Sequence, residues 1–149
     1  MLLEKDYAVK ATPAELLALL TDTERAARCV PNMQSFERIG EKKLKLIVAP
    51  KFTFLQTRIT MEWELLSADM SGGKLAISGR GIGSSFGAQV TLRMQPASQG
   101  SSLHLSLDIT TGGLLKQVPQ SVILGGAGNL ADELIVGVER ECRSPRVKA

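Results

Sequence analysis

The chain has 149 residues, 44% of them hydrophobic and 22% charged, enough apolar material for one domain, residues 1–149, with a packed core. Its formal net charge of +3 is too small, and its basic residues too scattered, for a nucleic-acid partner, which requires a dense basic stripe. No continuous apolar run reaches the ~18 residues of a membrane span, and the early acidic residues in Met1-Leu2-Leu3-Glu4-Lys5-Asp6 are unlike a signal peptide, so a cytoplasmic protein is expected.

Leu3 to Val9 alternates in polarity and reads as a first strand. Thr12-Pro13-Ala14-Glu15 then opens a helix: Thr12 is the N-cap, Pro13 suits the first helical position, and Glu15 completes a capping box. Leu16, Leu17, Leu19 and Leu20 supply its buried face. Thr21-Asp22-Thr23 restarts a short second helix, which stops at Val30-Pro31 because proline disfavours helix in the residue before it.

From Met33 the period changes to two. Leu44, Leu46 and Val48 alternate with Lys43, Lys45 and Ile47, after a turn at Glu41–Lys45. Leu55, Thr57, Ile59, Met61, Trp63 and Leu65 point one way; Gln56, Arg58, Thr60, Glu62 and Glu64 point the other. Ser71-Gly72-Gly73 reads as a turn, and Leu75, Ile77, Gly79 and Gly81 share one face of the next strand. Ala88, Val90, Leu92 and Met94 share a face of the strand after it. Pro96 to Ser102 reads as a further turn. Leu103, Leu105, Leu107 and Ile109 then alternate with His104, Ser106, Asp108 and Thr110. Each strand has one wet face, which argues for about six antiparallel strands rather than βαβ units.

Pro119 to Glu141 reads as one long amphipathic helix, with Ile123, Ala127, Leu130, Leu134 and Val138 on one face. It is built of small residues: Gly125, Gly126, Ala127, Gly128, Ala131 and Gly137. A mid-helix glycine costs ~1 kcal/mol against alanine, so these positions imply close backbone approach or space left open. Leu114, Leu115 and Val118 follow a different phase, and Gly112–Val118 is expected to form a separate turn or a lid at a cavity mouth. The order of elements points to an α+β fold: an antiparallel sheet with a long helix on one face.

Chemistry-bearing patterns are sparse. His104, the only histidine, lies opposite the leucines of its strand and reads as solvent-facing rather than as a general base. Gly79-Arg80-Gly81-Ile82-Gly83-Ser84 does not match a dinucleotide loop in any register and opens no helix; glycines in a strand mark a bend or a close approach. Asp132 and Glu133 read as a solvated helix face. Trp63 and Phe86 are placed inward. Cys29 and Cys142, the only cysteines, form neither a disulfide framework nor a metal motif and read as thiols in a reducing compartment; a bridge between them depends on geometry. The basic residues Lys42, Lys43, Lys45, Arg140, Arg143, Arg146 and Lys148 read as solvated turns and a frayed tail, or as a weak attraction to an anionic membrane surface.

Val9-Lys10-Ala11-Thr12-Pro13-Ala14-Glu15, Leu19-Leu20-Thr21-Asp22 and Cys29-Val30-Pro31 resemble the opening of the carbon monoxide dehydrogenase G-subunit family, a branch of the START-like (SRPBCC), birch-pollen-allergen-like superfamily. Ser78-Gly79-Arg80-Gly81 ahead of Ala88-Gln89-Val90-Thr91-Leu92 resembles its glycine-marked strand pair. Gly112-Gly113 through Ile123, Ala127 and Leu130-Ala131-Asp132-Glu133 resembles its terminal helix. The family favours glycine at the position of Asn32. The resemblance implies a helix-grip fold: a curved antiparallel sheet wrapped around a long C-terminal helix, two short helices after strand one, and an apolar cavity between. It implies a link to molybdenum-containing carbon monoxide dehydrogenase, in recruitment to the membrane or in quinone handling. No motif for molybdopterin, an iron–sulfur cluster or flavin is present, so no cofactor is expected.

Three functions remain open from the sequence. The first is a non-enzymatic accessory or carrier protein that binds a quinone- or lipid-like molecule, lined by Trp63, Ile77 and Phe86 from the strands and Ile123, Ala127, Leu130 and Leu134 from the helix. Its partners would be that ligand, carbon monoxide dehydrogenase-type molybdenum hydroxylase subunits, and the membrane surface as a peripheral site. The second is a polyketide-cyclase-type enzyme, with Tyr7, Thr57 or Arg58 as the polar group it requires. The third is a docking module with a solid core.

Overall fold

The structure, a computed structural model, describes residues 1–49 and 58–143. The elements are β1 (Leu2–Val9), α1 (Pro13–Thr21), α2 (Thr23–Arg28), β2 (Met33–Arg38), β3 (Lys43–Val48), β4 (Ile59–Asp69), β5 (Gly72–Gly81), β6 (Ser84–Ala97) and β7 (Gly100–Gly113), then a 3₁₀ turn (Leu114–Gln117) and α3 (Gln120–Arg143). The strands form one antiparallel sheet in the order β1-β7-β6-β5-β4-β3-β2. Two capped helices carry the chain from β1 across to the far edge, and consecutive strands then return it to pair with β1.

The opening of α1 follows from its sequence. The Glu15 amide donates to Thr12 Oγ1 at 3.2 Å, and Glu15 Oε1 accepts from the Thr12 amide at 2.9 Å. Asp22 restarts the helix by accepting from the Arg25 amide at 3.3 Å. Asn32, just past the corner, has φ of 60°. This left-handed conformation costs glycine nothing and is tolerated by asparagine, which explains the glycine preference of the resembling family here.

The strands run further than the sequence suggests. Asp69 pairs with Gly72 and Ala97 with Gly100, so the expected Ser71–Gly73 turn becomes Met70–Ser71 and the expected Pro96–Ser102 turn shrinks to Ser98–Gln99. Gly100, at φ +141°, makes the second turn tight, and a side chain there would overlap the Val9 carbonyl. Pro96 is accommodated because β5 begins only at Gly72, opposite Arg93, and leaves Pro96 with a strand neighbour, β7, on one side. A bulge between Leu65 and Ser67 shifts the phase of β4 and turns Leu66 out to solvent. The expected inward positions Leu55 and Thr57 lie outside the described residues.

α3 begins as the sequence indicates, with the Pro119 carbonyl accepting from Val122 and Ile123, and runs two residues past Glu141. By length and composition it could cross a bilayer even though no unbroken apolar run suggests it. In this fold it lies along the sheet. Its C-terminal part is fastened to α2: Glu141 Oε1 sits 3.5 Å from Arg25 Nε and 3.2 Å from Arg28 Nη1. Gly137 meets the Cys29 backbone, where a side chain would stand 2.6 Å from the carbonyl oxygen. Cys29 is buried, and burial followed by the Glu141 carboxylate pushes its thiol up to about 12. Both cysteines are thiols.

Candidate functional site: an apolar cavity between sheet and helix

The inward faces of β4 to β7 align in three cross-strand rows. Leu65, Leu75, Val90 and Leu107 form one; Trp63, Ile77, Ala88 and Ile109 the next; Met61, Gly79, Phe86 and Thr111 the third. At ~4.8 Å per strand these rows make a floor about 14 Å wide. The helix lies over it and presents Ile123, Ala127, Leu130, Ala131 and Leu134.

Between floor and helix is a partly open cavity of about 150 Å³. Val30 and Pro31 from the α2–β2 corner and Leu115 from the 3₁₀ turn also border it. The same sheet supplies Val48 at one side and Leu105 and Leu107 at the other, so the strands must curl around the helix to share one space. An apolar cavity of this size stays dry and admits one benzene-sized ring.

Trp63, Ile77, Phe86, Ile123, Ala127, Leu130 and Leu134, picked from the sequence, all border this one space. The strand residues not picked, such as Met61, Leu75, Val90 and Ile109, carry the same signal, since each sits on the inward phase of its alternation. Pro31 and Leu115 carry none, because only tertiary folding brings a corner and a 3₁₀ turn to the cavity. The Gly112–Val118 segment is a continuation of β7 and then that turn, held by the Leu114 amide donating to the Gly83 carbonyl at 2.8 Å.

The small residues of α3 fall into three kinds. The room under the helix is left by Ala127 and Ala131. Gly125 faces open space, and Gly137 permits contact with α2. Gly79 has a separate task. The Phe86 ring lies across it, in the place a side chain would take. Gly79→Ala is therefore expected to push Phe86 toward the cavity, costing ~1–3 kcal/mol and weakening ligand uptake. Urea denaturation and a binding titration read the two effects; an unchanged protein contradicts the seating of Phe86 on Gly79.

Among the described residues, no ionisable side chain borders the cavity. Thr111 and Trp63 carry polar atoms, but the cavity wall itself is almost wholly apolar. Trp63 Nε1 is buried and has no hydrogen-bond partner among the described residues, a situation that costs ~1–3 kcal/mol.

The titratable groups lie at the border of the grip or behind the sheet. Asp132 lies on a solvated helix face as expected, its side chain about half exposed, and from there also ties α3 to β1. Its Oδ1 accepts from Lys5 Nζ at 2.6 Å and from the Tyr7 hydroxyl at 2.7 Å. These bonds, that of Lys5 first, hold the Asp132 carboxyl below its ordinary range. Burial and then the Asp132 carboxylate raise the Tyr7 hydroxyl above its ordinary 10. A raised pKa gives stability that is full below the unfolded value and is lost as pH rises. Stability is thus expected to fall above pH 10, and Tyr7→Phe to flatten that fall. Alkaline denaturation profiles of the two proteins check this; identical slopes contradict it. His104 lies on the outer face, 2.7 Å from Asp6 and 3.0 Å from Glu4, and these two carboxylates raise its pKa.

The profile of the CoxG family, the G subunit of carbon monoxide dehydrogenase, matches residues 6–142. The chain belongs to that family. Among solved structures, this CoxG family member is similar to a conserved protein from Geobacillus kaustophilus, with a TM-score of 0.87, 19% identity and 95% of each chain covered. It is also similar to a START superfamily protein from Mycobacterium smegmatis, at a TM-score of 0.71, 14% identity, 95% of this chain and 96% of that one. A third is Ara h 8.0201, at 0.66 and 16% identity, covering 97% and 99%. These likenesses establish the START-like helix-grip fold. A search of curated protein sequences returns no match.

Proposed function

We propose that this CoxG family member is a carrier or accessory protein without catalysis of its own, holding a quinone- or lipid-like molecule between sheet and helix. The observation that supports this is the cavity itself: partly open, about 150 Å³, and without an ionisable lining residue among those described. Burying ~250 Å² of an apolar ring system yields on the order of 6 kcal/mol before association costs. The cavity holds one benzene-sized ring, so a fused second ring or a tail would extend through the opening or widen it.

A cyclase needs a tuned acid or base against its substrate. Tyr7 is committed to Asp132, Arg58 is exposed, and Thr57 lies outside the described residues. A docking module without ligand calls for a filled core, and the cavity speaks against that. The family supports carbon monoxide dehydrogenase-type subunits as the partner that gives or takes the ligand. Exposed Ile82 and Leu114, on adjoining turns beside cavity-lining Leu115, offer an apolar contact for that partner or for a membrane surface.

Native mass spectrometry of the purified protein, before and after organic extraction, tests the proposal. One small lipophilic molecule per chain, lost on extraction and restored by added quinone, is expected. A protein that is reproducibly empty and binds no quinone contradicts it.

A further inference from the structure

The polar ties of α3 to the rest of the fold are unevenly placed. Lys5 Nζ donates to the Gly128 carbonyl at 3.4 Å and to Asp132 at 2.6 Å, where the Tyr7 hydroxyl also donates. The Lys10 amide donates to Glu139 Oε2 at 3.1 Å, Arg140 donates to the Arg28 carbonyl at 3.4 Å, and Glu141 pairs with Arg25 and Arg28. These ties all fall between Gly128 and Glu141. Among the described residues, no hydrogen bond or ion pair reaches residues 120–127 from another strand or helix. What holds that stretch is apolar: Ile123 is buried in one cluster with Ile109 and with Leu115 of the 3₁₀ turn. The turn is tethered at its base, where the Leu114 amide donates to the Gly83 carbonyl.

Residues 115–124 thus run between two polar anchors and cover the cavity through Leu115 and Ile123. Just before the second anchor stand Gly125 and Gly126. Glycine is a poor helix former and changes its backbone angles at little steric cost. Gly125 also faces open space. Hydrogen bonds fix distance and angle, whereas apolar contacts are non-directional and can be exchanged for those of a lipophilic molecule. We propose that residues 115–124 form a lid that swings off the sheet about Gly125 and Gly126 to open the cavity, while α3 from Gly128 onward stays clasped to β1 and α2. What passes the lid rests on the carrier reading; the motion itself does not.

Two measurements test it. The first is amide hydrogen exchange of the ligand-free protein, comparing residues 124–128, which span the hinge, with residues 135–139, equally far from the other end of α3. Fraying alone gives the two stretches equal protection; the lid is expected to leave the first at least ~10-fold less protected. Equal protection overturns the lid. The second is stopped-flow binding of menadione, followed through Trp63, the only tryptophan and a cavity-lining residue. Gly125→Ala stiffens the hinge and is expected to slow association and dissociation alike, roughly 3–5-fold, with Kd unchanged. Val136→Ala, also a better helix former but on the exposed face of the clasped stretch, is expected to leave both rates as they are. Unchanged rates in Gly125→Ala, or equal slowing by Val136→Ala, overturn the hinge. If menadione does not bind the wild-type protein, the carrier reading falls, and hydrogen exchange alone decides the lid.

Discussion

Ala127→Phe is expected to abolish menadione binding while the protein stays folded. Ala127 faces the cavity from α3, opposite the floor that carries Trp63, Ile77 and Phe86. A phenyl ring added there fills a void of the size that admits one benzene, and ligand and side chain cannot share it. Affinity should drop at least ~30-fold, about 2 kcal/mol. Stability should hold or rise, because a filled void regains contacts worth about 24 cal/mol per Å³. Val136→Phe, on the exposed face of the same helix, should change neither. Calorimetric titration and thermal unfolding of the three proteins check this. Wild-type affinity in Ala127→Phe places the ligand elsewhere.

The second large effect concerns two glycines of one helix with opposite signs. Gly125→Ala should stabilise by ~1 kcal/mol, since alanine is the better helix former and the new methyl meets no atom within 4 Å. Gly137→Ala gains the same propensity but sets a methyl 2.6 Å from the Cys29 carbonyl oxygen and 3.1 Å from its Cα. Backbone on one helix cannot yield as a side-chain tip can. α2 and α3 must separate, straining the Glu141 pairs with Arg25 and Arg28. A net loss of ~2–3 kcal/mol is expected. Urea midpoints measure both; a stabilised Gly137→Ala would show that the helices are not in backbone contact.

Much of the fold is legible because each strand has one dry face. Leu103, Leu105 and Ile109 are buried as their alternation with His104 and Asp108 requires. The α1 capping box is equally local and equally readable. Turn lengths are less so, since Pro96 inside a strand is permitted because β5 begins only opposite Arg93, a tertiary fact. The tie made by Asp132 is hidden for a similar reason: its partner Lys5 is 127 positions away, and nothing local distinguishes a solvated carboxylate from one that ties a helix to an edge strand. The helix glycines pose a choice between space and contact. What stands opposite each one decides it, open space at Gly125 and the Cys29 backbone at Gly137. The seven residues chosen from the sequence share one cavity because strand period and helix period each mark an inward face. Their role as ligand contacts is the proposal.

A crystal structure of the protein grown with menadione tests the central claim most directly. Density for at least one ring of menadione is expected between the Trp63–Ile77 floor and the Ala127–Leu134 stretch of α3. A cavity closed by collapse of α3 onto the sheet, or menadione bound only outside it, would contradict the claim.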